Sequence, residues 1–361
     1  MKSGLAESLL ATIMGWSQEE VSKEIPFLIA MANFKYNEYQ QFSPGIRFIE
    51  SLAQWLRQFE TKEEKASAYE FVKHRLIFLS NNQISHLTNL SYSTIIEPII
   101  IKKVASQIEI PDYLIAQTIA SEQYKKTFRQ SLFIGLSDGS KIDQLRRYAQ
   151  LNNEQVLTTY YIDQDKISDL QAELKSSCNA DKFSSIFLID DFTASGKSYA
   201  RIEDGKEKGK ILKLLNKIYN TEDPVSSIID KESLTIHIVF YVATEGAMNN
   251  MTNAINQYAK SKGVNISYTI QAVQIINDDI KSVFIEDSVF LSLLQKYYDD
   301  DINDKHYKKG NINNWPYLGF GECGLSLVLH HNTPNNSLPI LWFPEDMKVR
   351  GLFPRITRHK E

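Results

Sequence analysis

A chain of 361 residues, 43% of them hydrophobic and 23% charged, holds enough apolar material for one large α/β core and an added module; it is neither disordered nor fibrous. Its formal net charge of -4 lacks the basic excess of many nucleic-acid binders. The only cysteines, Cys178 and Cys323, stand far apart in no metal-ligand spacing, which gives no indication of a disulfide framework and speaks against a zinc site. No run of 18 apolar residues occurs, and the N-terminal apolar stretch is too short and interrupted for a signal peptide, so a cytoplasmic protein with no membrane partner is expected.

Residues 1 to about 110 read as a helical module. Phe27, Ile29, Ala30 and Met31 lead to Phe34 and Tyr36, and Ser43-Pro44-Gly45 breaks the pattern. Ile46, Phe48, Ile49, Leu52, Ala53, Trp55, Leu56 and Phe59 then recur at three- and four-residue spacings, which predicts an amphipathic helix with a wide apolar face. Ala68, Phe71, Val72, Leu76, Ile77 and Leu79 predict the next helix. These aromatic stripes read as helical core.

From about residue 130 short apolar runs alternate with helical patterns. Strands are predicted at 132–136, 156–162, 186–189, 236–242 and 266–273, with more strand at 328–330; helices are predicted at 142–151, 211–219 and 247–262. That alternation implies an α/β fold with a mainly parallel sheet and helices on both faces. Residues 299–314 are polar and read as a surface loop. The stretch from Met347, with Lys348, Arg350, Arg355, Arg358 and Lys360, reads as a solvated basic tail, with a phosphate-contacting arm as the sharper alternative. The expected organisation is a helical module over 1–110, an α/β domain over 111–346 and a tail over 347–361.

The chemistry concentrates at Ser185–Ala200, SIFLIDDFTASGKSYA. An apolar strand ends in Asp190 and Asp191, and Thr193, Ala194, Ser195, Gly196, Lys197 and Ser198 follow as a small-residue loop expected to open a helix. In open parallel sheets ligands bind at the carboxyl ends of strands, and small residues with free N–H groups at a helix start receive phosphate oxygens. The two carboxylates could accept from a vicinal diol or hold a hydrated Mg2+. A nucleotide-triphosphate loop would need a glycine five residues before Gly196, and that position is Asp191. One strand earlier, Ser137, Asp138, Gly139 and Ser140 form a second turn with donors for phosphate, and Arg146 and Arg147 could add charge. Thr244 and Glu245 also fall at a strand's carboxyl end. Asn332, Asn335 and Asn336 with Pro334 form a turn-rich loop that either closes over a base or sugar or is a structured turn.

The strand, acid pair and Thr/Ser/Gly loop resemble the phosphoribosyltransferase signature. The resemblance implies a type I phosphoribosyltransferase-like sheet preceded by the N-terminal helical module. In it Asp190 and Asp191 would face the ribose hydroxyls and hold Mg2+ indirectly. Residues Thr193 to Ser198 would cradle the 5-phosphate, and the turn Ser137–Ser140, which in the family often carries a cis peptide, would bind pyrophosphate. Purine-salvage members carry an Asp where this chain has Ala194, which speaks against a purine base; orotate-type members also lack it. Over about residues 20–345 the chain resembles a bacterial sub-family from conflict and phage-defence islands. The stretches that carry the likeness are Phe48–Phe59 (FIESLAQWLRQF), Gly135–Arg147 (GLSDGSKIDQLRR) and His331–Trp342 (HNTPNNSLPILW). That resemblance implies an effector kept silent by defence-operon partners, in some members a reverse transcriptase with its nucleic acid. The ligand would be phosphoribosyl diphosphate or a nucleotide, attacked at ribose C1. The alternative is a non-catalytic nucleotide-sensing or scaffold subunit that binds partner proteins or nucleic acid.

Overall fold

The strands in chain order are β1 (Ile77–Leu79), β2 (Ser131–Gly135), β3 (Val156–Leu157), β4 (Ser185–Thr193), β5 (Arg201–Glu203), β6 (Lys206–Lys208), β7 (Thr235–Thr244), β8 (Ser267–Ile276) and β9 (Leu327–Leu329). The computed structural model describes residues 3–42, 45–303, 307 and 313–355. Two compact units divide the chain: Ile84–Asn277 forms one, and Met1–Gln83 with Asp278–Glu361 forms the other. The boundary read from the sequence at residue 110 falls inside the first of these, and that at 346 inside the second.

The unit 84–277 is built on a five-stranded sheet of order β3-β2-β4-β7-β8, every neighbouring pair parallel. The run SIFLI of β4 and IHIVFYV of β7 lack the polar alternation of a half-exposed strand, because both faces of the sheet are covered. On one face Leu132, Ile134, Ile186, Leu188, Ile236 and Ile238 pack with the helices Gln164–Cys178, Lys210–Tyr219 and Glu245–Lys262. On the other face a row crosses the sheet at matched register: Phe133 stacks on Phe187 at 5.0 Å, Phe187 on His237 at 4.7 Å, and His237 Nδ1 lies 2.9 Å from Thr269 Oγ1. Burial, with nearby Lys103, pushes His237 down to about 4, so it serves as a neutral core residue. Lys103, on the helix Glu97–Gln107, donates to Ser185 Oγ at 2.9 Å. β8 forms the edge beyond β7; no charged residue occurs from Val264 to Asn277, and half of its ten positions are exposed.

The strand predicted over 156–162 shrinks to Val156–Leu157, and the helix predicted to run through Leu79 ends at His74. Ile77–Leu79 instead pairs in parallel with Leu327–Leu329, so the strand predicted near 328 belongs to the other unit. That unit wraps its N-terminal helices around the C-terminal segment. Trp55 Nε1 donates to Ile340 O at 2.9 Å, Ser51 Oγ to Leu352 O at 2.7 Å, and Tyr39 OH to Phe353 O at 3.0 Å. Phe353 stacks on Phe48 and Phe42, and Leu352 and Phe353 are fully buried, although the sequence reads this stretch as a solvated tail. Arg350 pairs with Glu345 and Arg355 lies 5.5 Å above the Trp342 ring; Arg358 and Lys360 lie outside the described residues, as do Ser43, Pro44 and half of the predicted loop 299–314. Among the described residues no helix is long and apolar enough to cross a membrane.

Candidate functional site

Strand order decides where a ligand can sit. From β2 the chain crosses one way to β3, then returns to place β4 on the opposite side of β2. The connections leaving β2 and β4 therefore diverge, and in open parallel sheets such a switch point is where ligands bind, at the strands' carboxyl ends. The Ser137–Ser140 turn follows β2, and the acid pair with its loop follows β4.

The first turn is held from below. Leu136 N–H donates to Ile189 O at 2.9 Å, and Ser140 N–H to Ser137 O at 3.1 Å. Ser137 Oγ accepts from Gly139 N–H at 3.2 Å. Tyr241, buried on β7, donates a short hydrogen bond to Ser140 O. Lys141 takes a left-handed conformation (φ 44°) to start the helix Ile142–Tyr148. Gly139 does not need a positive φ; it needs space. A Cβ there would fall 2.6 Å from Asp191 Cγ and 2.9 Å from its Oδ1. No peptide is cis among the described residues.

Asp190 and Asp191 leave β4 toward opposite faces, as successive strand residues do. Asp190 is fully buried and accepts four hydrogen bonds. Ser137 Oγ makes a short one to Oδ1, Asp191 N–H reaches Oδ1 at 3.1 Å, and Tyr199 OH and Lys210 Nζ reach Oδ2 at 2.9 and 3.2 Å. Burial pushes its carboxyl up to about 6, helped by the adjacent Asp191 charge and opposed by Lys210, Ser137 and Tyr199. Tyr199 is driven well above the usual phenol range, by burial first and the two carboxylates second, so it stays protonated and donates. Lys210 Nζ also lies 4.9 Å above the Tyr199 ring. Asp191 is 7% exposed and lies against Gly139. The turn after β2 thus meets both carboxylates, Ser137 one and Gly139 the other.

The loop beyond differs from the expected strand–loop–helix. Residues 194–200 form bends and a turn, and the β5–β6 hairpin comes next; a helix begins only at Lys210. The loop does not itself open a helix, so its own backbone must supply anion donors. Gly196 sits at φ +71°, where a Cβ would fall 2.6 Å from Ala247 O. Among the described residues the N–H groups of Ser195, Gly196 and Ser198 donate to no acceptor. Unpaired donors of this kind around a left-handed glycine form a concave anion cradle. Thr193, Ala194 and Ser195 are buried, Lys197 is half-buried and Ser198 is exposed. Thr244 caps the helix Glu245–Lys262 by accepting from Ala247 N–H at 3.0 Å, and its hydroxyl donates to Ala194 O at 2.6 Å. Asn250 Nδ2 donates to Ser195 O at 3.1 Å, and Arg201 Nη1 to Lys197 O at 2.8 Å.

A family model described as PRTase-CE matches residues 52–355. The chain belongs to that phosphoribosyltransferase-like family. No curated protein and no solved structure matches it.

Within this PRTase-CE chain the two loops singled out by sequence meet at one strand end, whereas other candidates lie elsewhere. Arg146 bonds Asn153 Oδ1 at 2.6 Å, and Arg147 is exposed. Glu245 is exposed, and Thr244 acts as a cap. The loop of Asn332, Asn335 and Asn336 is an internally bonded turn of the other unit, with Asn336 Nδ2 on Phe320 O at 2.8 Å and Phe320 N–H on Asn335 O at 2.7 Å. Sequence reasoning missed Tyr199, Lys210, Asn250 and Tyr241. It also missed the helix Asn81–Ser91, whose Ser85 O accepts from Gln144 Nε2 at 2.9 Å beside the first turn. Asp204-Gly205 was a legible hairpin signal that would have placed a strand pair, rather than a helix, directly after the loop.

Proposed function

We propose that the site at the carboxyl ends of β2 and β4 binds a 5-phosphoribosyl ligand, phosphoribosyl diphosphate or a nucleotide, with Mg2+, and that the chemistry takes place at ribose C1. One observation carries this reading: the turn Ser137–Ser140 and the loop Thr193–Ser198, each fit to receive an anion, flank an acid pair at the topological switch point of a parallel sheet. A ligand with phosphate at both ends and a diol between has the matching order of groups. In transfer, the bond from C1 to the diphosphate oxygen breaks with its electron pair on diphosphate, and an acceptor nitrogen bonds C1 and loses its proton to solvent or base. A carboxylate pair beside the sugar would favour the positive charge that develops there in the transition state. Ser195, Gly196 and Ser198 supply backbone N–H donors to the 5-phosphate, and Lys197 adds a cation.

Among the described residues no group of three or more acidic, His or Cys side chains forms a metal cage. Mg2+ typically binds through one or two carboxylates plus ligand phosphates and water, so Asp191 suits a metal that arrives with the ligand and neutralises its phosphate charge. Ala194, where purine-salvage enzymes carry a general base, supports a second reading: a non-catalytic nucleotide-sensing or scaffold subunit that binds partner proteins or nucleic acid. The resemblance to conflict-system proteins supports a cytoplasmic antiphage effector, silenced by operon partners that in some systems include a reverse transcriptase and its nucleic acid.

Calorimetry of phosphoribosyl diphosphate and common nucleotides, with and without Mg2+, followed by chromatography, tests this. Mg2+-dependent binding to the wild type and its loss in Asp190→Asn/Asp191→Asn are expected; product identifies a transferase or glycosidic cleavage, and binding without product identifies a sensor. No binding to any phosphorylated ribose refutes the reading.

A further inference from the structure

The donors gathered on Asp190 come from separate parts of the chain. Ser137 belongs to the turn after β2, Asp191 and Tyr199 to β4 and its loop, and Lys210 to the helix after the hairpin. A carboxylate offers about four lone-pair directions through its two oxygens, so four donors occupy it. Such a group has nothing left for a ribose hydroxyl or a metal, and it is fully buried. Asp191, one residue on, leaves the strand toward the opposite face and packs against Gly139 of the turn.

We infer that the two acids divide the work: Asp191 meets the sugar, whereas Asp190 is a positioning residue, a clamp that fixes the separation of the Ser137–Ser140 turn from the Thr193–Ser198 loop, with Tyr199 and Lys210 as its far jaw. The inference deepens the phosphoribosyl-ligand reading and rests on it for the ligand. A ligand with an anion at each end gains from loops held at a set distance, because its second anion then binds as an intramolecular event. The hairpin matters in the same way, since Arg201 Nη1 holds Lys197 O and so anchors the loop's far end. Lys210 reaches the clamp only because the hairpin returns the chain to Gly209, where φ is +102° and a Cβ would fall 2.5 Å from the Tyr199 carbonyl carbon.

The test has one arm without ligand and one with. In the full-length, ligand-free protein, Asp190→Asn and Lys210→Met should speed amide hydrogen exchange in both 136–141 and 194–200, whereas Asp191→Asn should leave both segments at the wild-type rate. Exchange in the turn unaltered by Lys210→Met refutes the clamp, whatever the ligand is. In the second arm phosphoribosyl diphosphate, pyrophosphate and ribose 5-phosphate are titrated separately with Mg2+. Lys210→Met should weaken the whole ligand by about tenfold or more while each half-ligand stays within about twofold, and Lys210→Arg should restore it. Asp191→Asn should weaken ribose 5-phosphate as much as the whole ligand. Equal losses for whole and half ligands in Lys210→Met would make Lys210 a direct contact and overturn the inference. A wild type that binds none of the three refutes the phosphoribosyl reading, and the exchange data still decide the clamp.

Discussion

Gly139→Ala is the sharpest probe of the site. An alanine Cβ would sit 2.6 Å from Asp191 Cγ, where ordinary contact needs about 3.5–4.0 Å, so turn and carboxylate must separate by about 1 Å. Neither side yields easily. Asp191 is 7% exposed at the end of a strand paired on both edges, and the turn is bonded through Ser137, Ser140 and Tyr241. Forced insertion of this kind costs about 1–3 kcal/mol. The same displacement at a ligand site weakens positioning by up to about a hundredfold. Urea denaturation gives the first quantity and calorimetric titration of phosphoribosyl diphosphate the second. Gly4→Ala is the control: nothing lies within 4 Å of its Cβ, and in the first turn of the helix Ser3–Met14 it should be neutral to slightly stabilising, by less than about 1 kcal/mol. A Gly139→Ala protein as stable as wild type and unchanged in binding would refute the account of how turn and acid meet.

Two further outcomes follow from the site. Burial raises the Asp190 carboxyl to about 6 from an ordinary 3.8, so between pH 6 and 4 the folded state binds a proton the unfolded chain does not, and stability should rise on acidification by up to about 3 kcal/mol. Denaturation of wild type and Asp190→Asn from pH 7 to 4.5 should show a wild-type advantage growing as pH falls; an advantage that shrinks refutes the burial argument. Thr244→Val should cost about 2–3 kcal/mol in urea titration, because it removes a helix cap and leaves Ala194 O without its donor; a cost under about 0.5 kcal/mol would show that neither bond matters.

The parts legible in sequence were those where local pattern and tertiary role coincide. An unbroken apolar strand, two acids and a small-residue loop sit within fourteen residues, and the first turn follows the first strand of the sheet directly. Tyr241 was not legible because a buried tyrosine inside IHIVFYV reads as core until the sheet brings it under Ser140. Lys210 was hidden by the charged hairpin between it and the loop, which lets a side chain twenty positions away complete the bonding of Asp190. The pairing of β1 with β9 joins residues 250 apart through three-residue strands, too short to leave an alternation and too distant for local propensity to register. Likewise a stretch with five basic residues reads as solvated, although Leu352 and Phe353 between them complete an aromatic core.

That pairing has a consequence for synthesis on the ribosome. The helix bearing Phe48 and Trp55, with Phe59 just past its end, emerges early, but the segment that covers it, from Leu327 to Phe353, arrives about 270–300 residues later. At about 5–20 residues per second the nascent chain displays that aromatic face for roughly 15–60 s. The intervening sheet unit, continuous in the chain, can close in that interval. The flanking unit is therefore the last to mature and the one that most needs a holding chaperone.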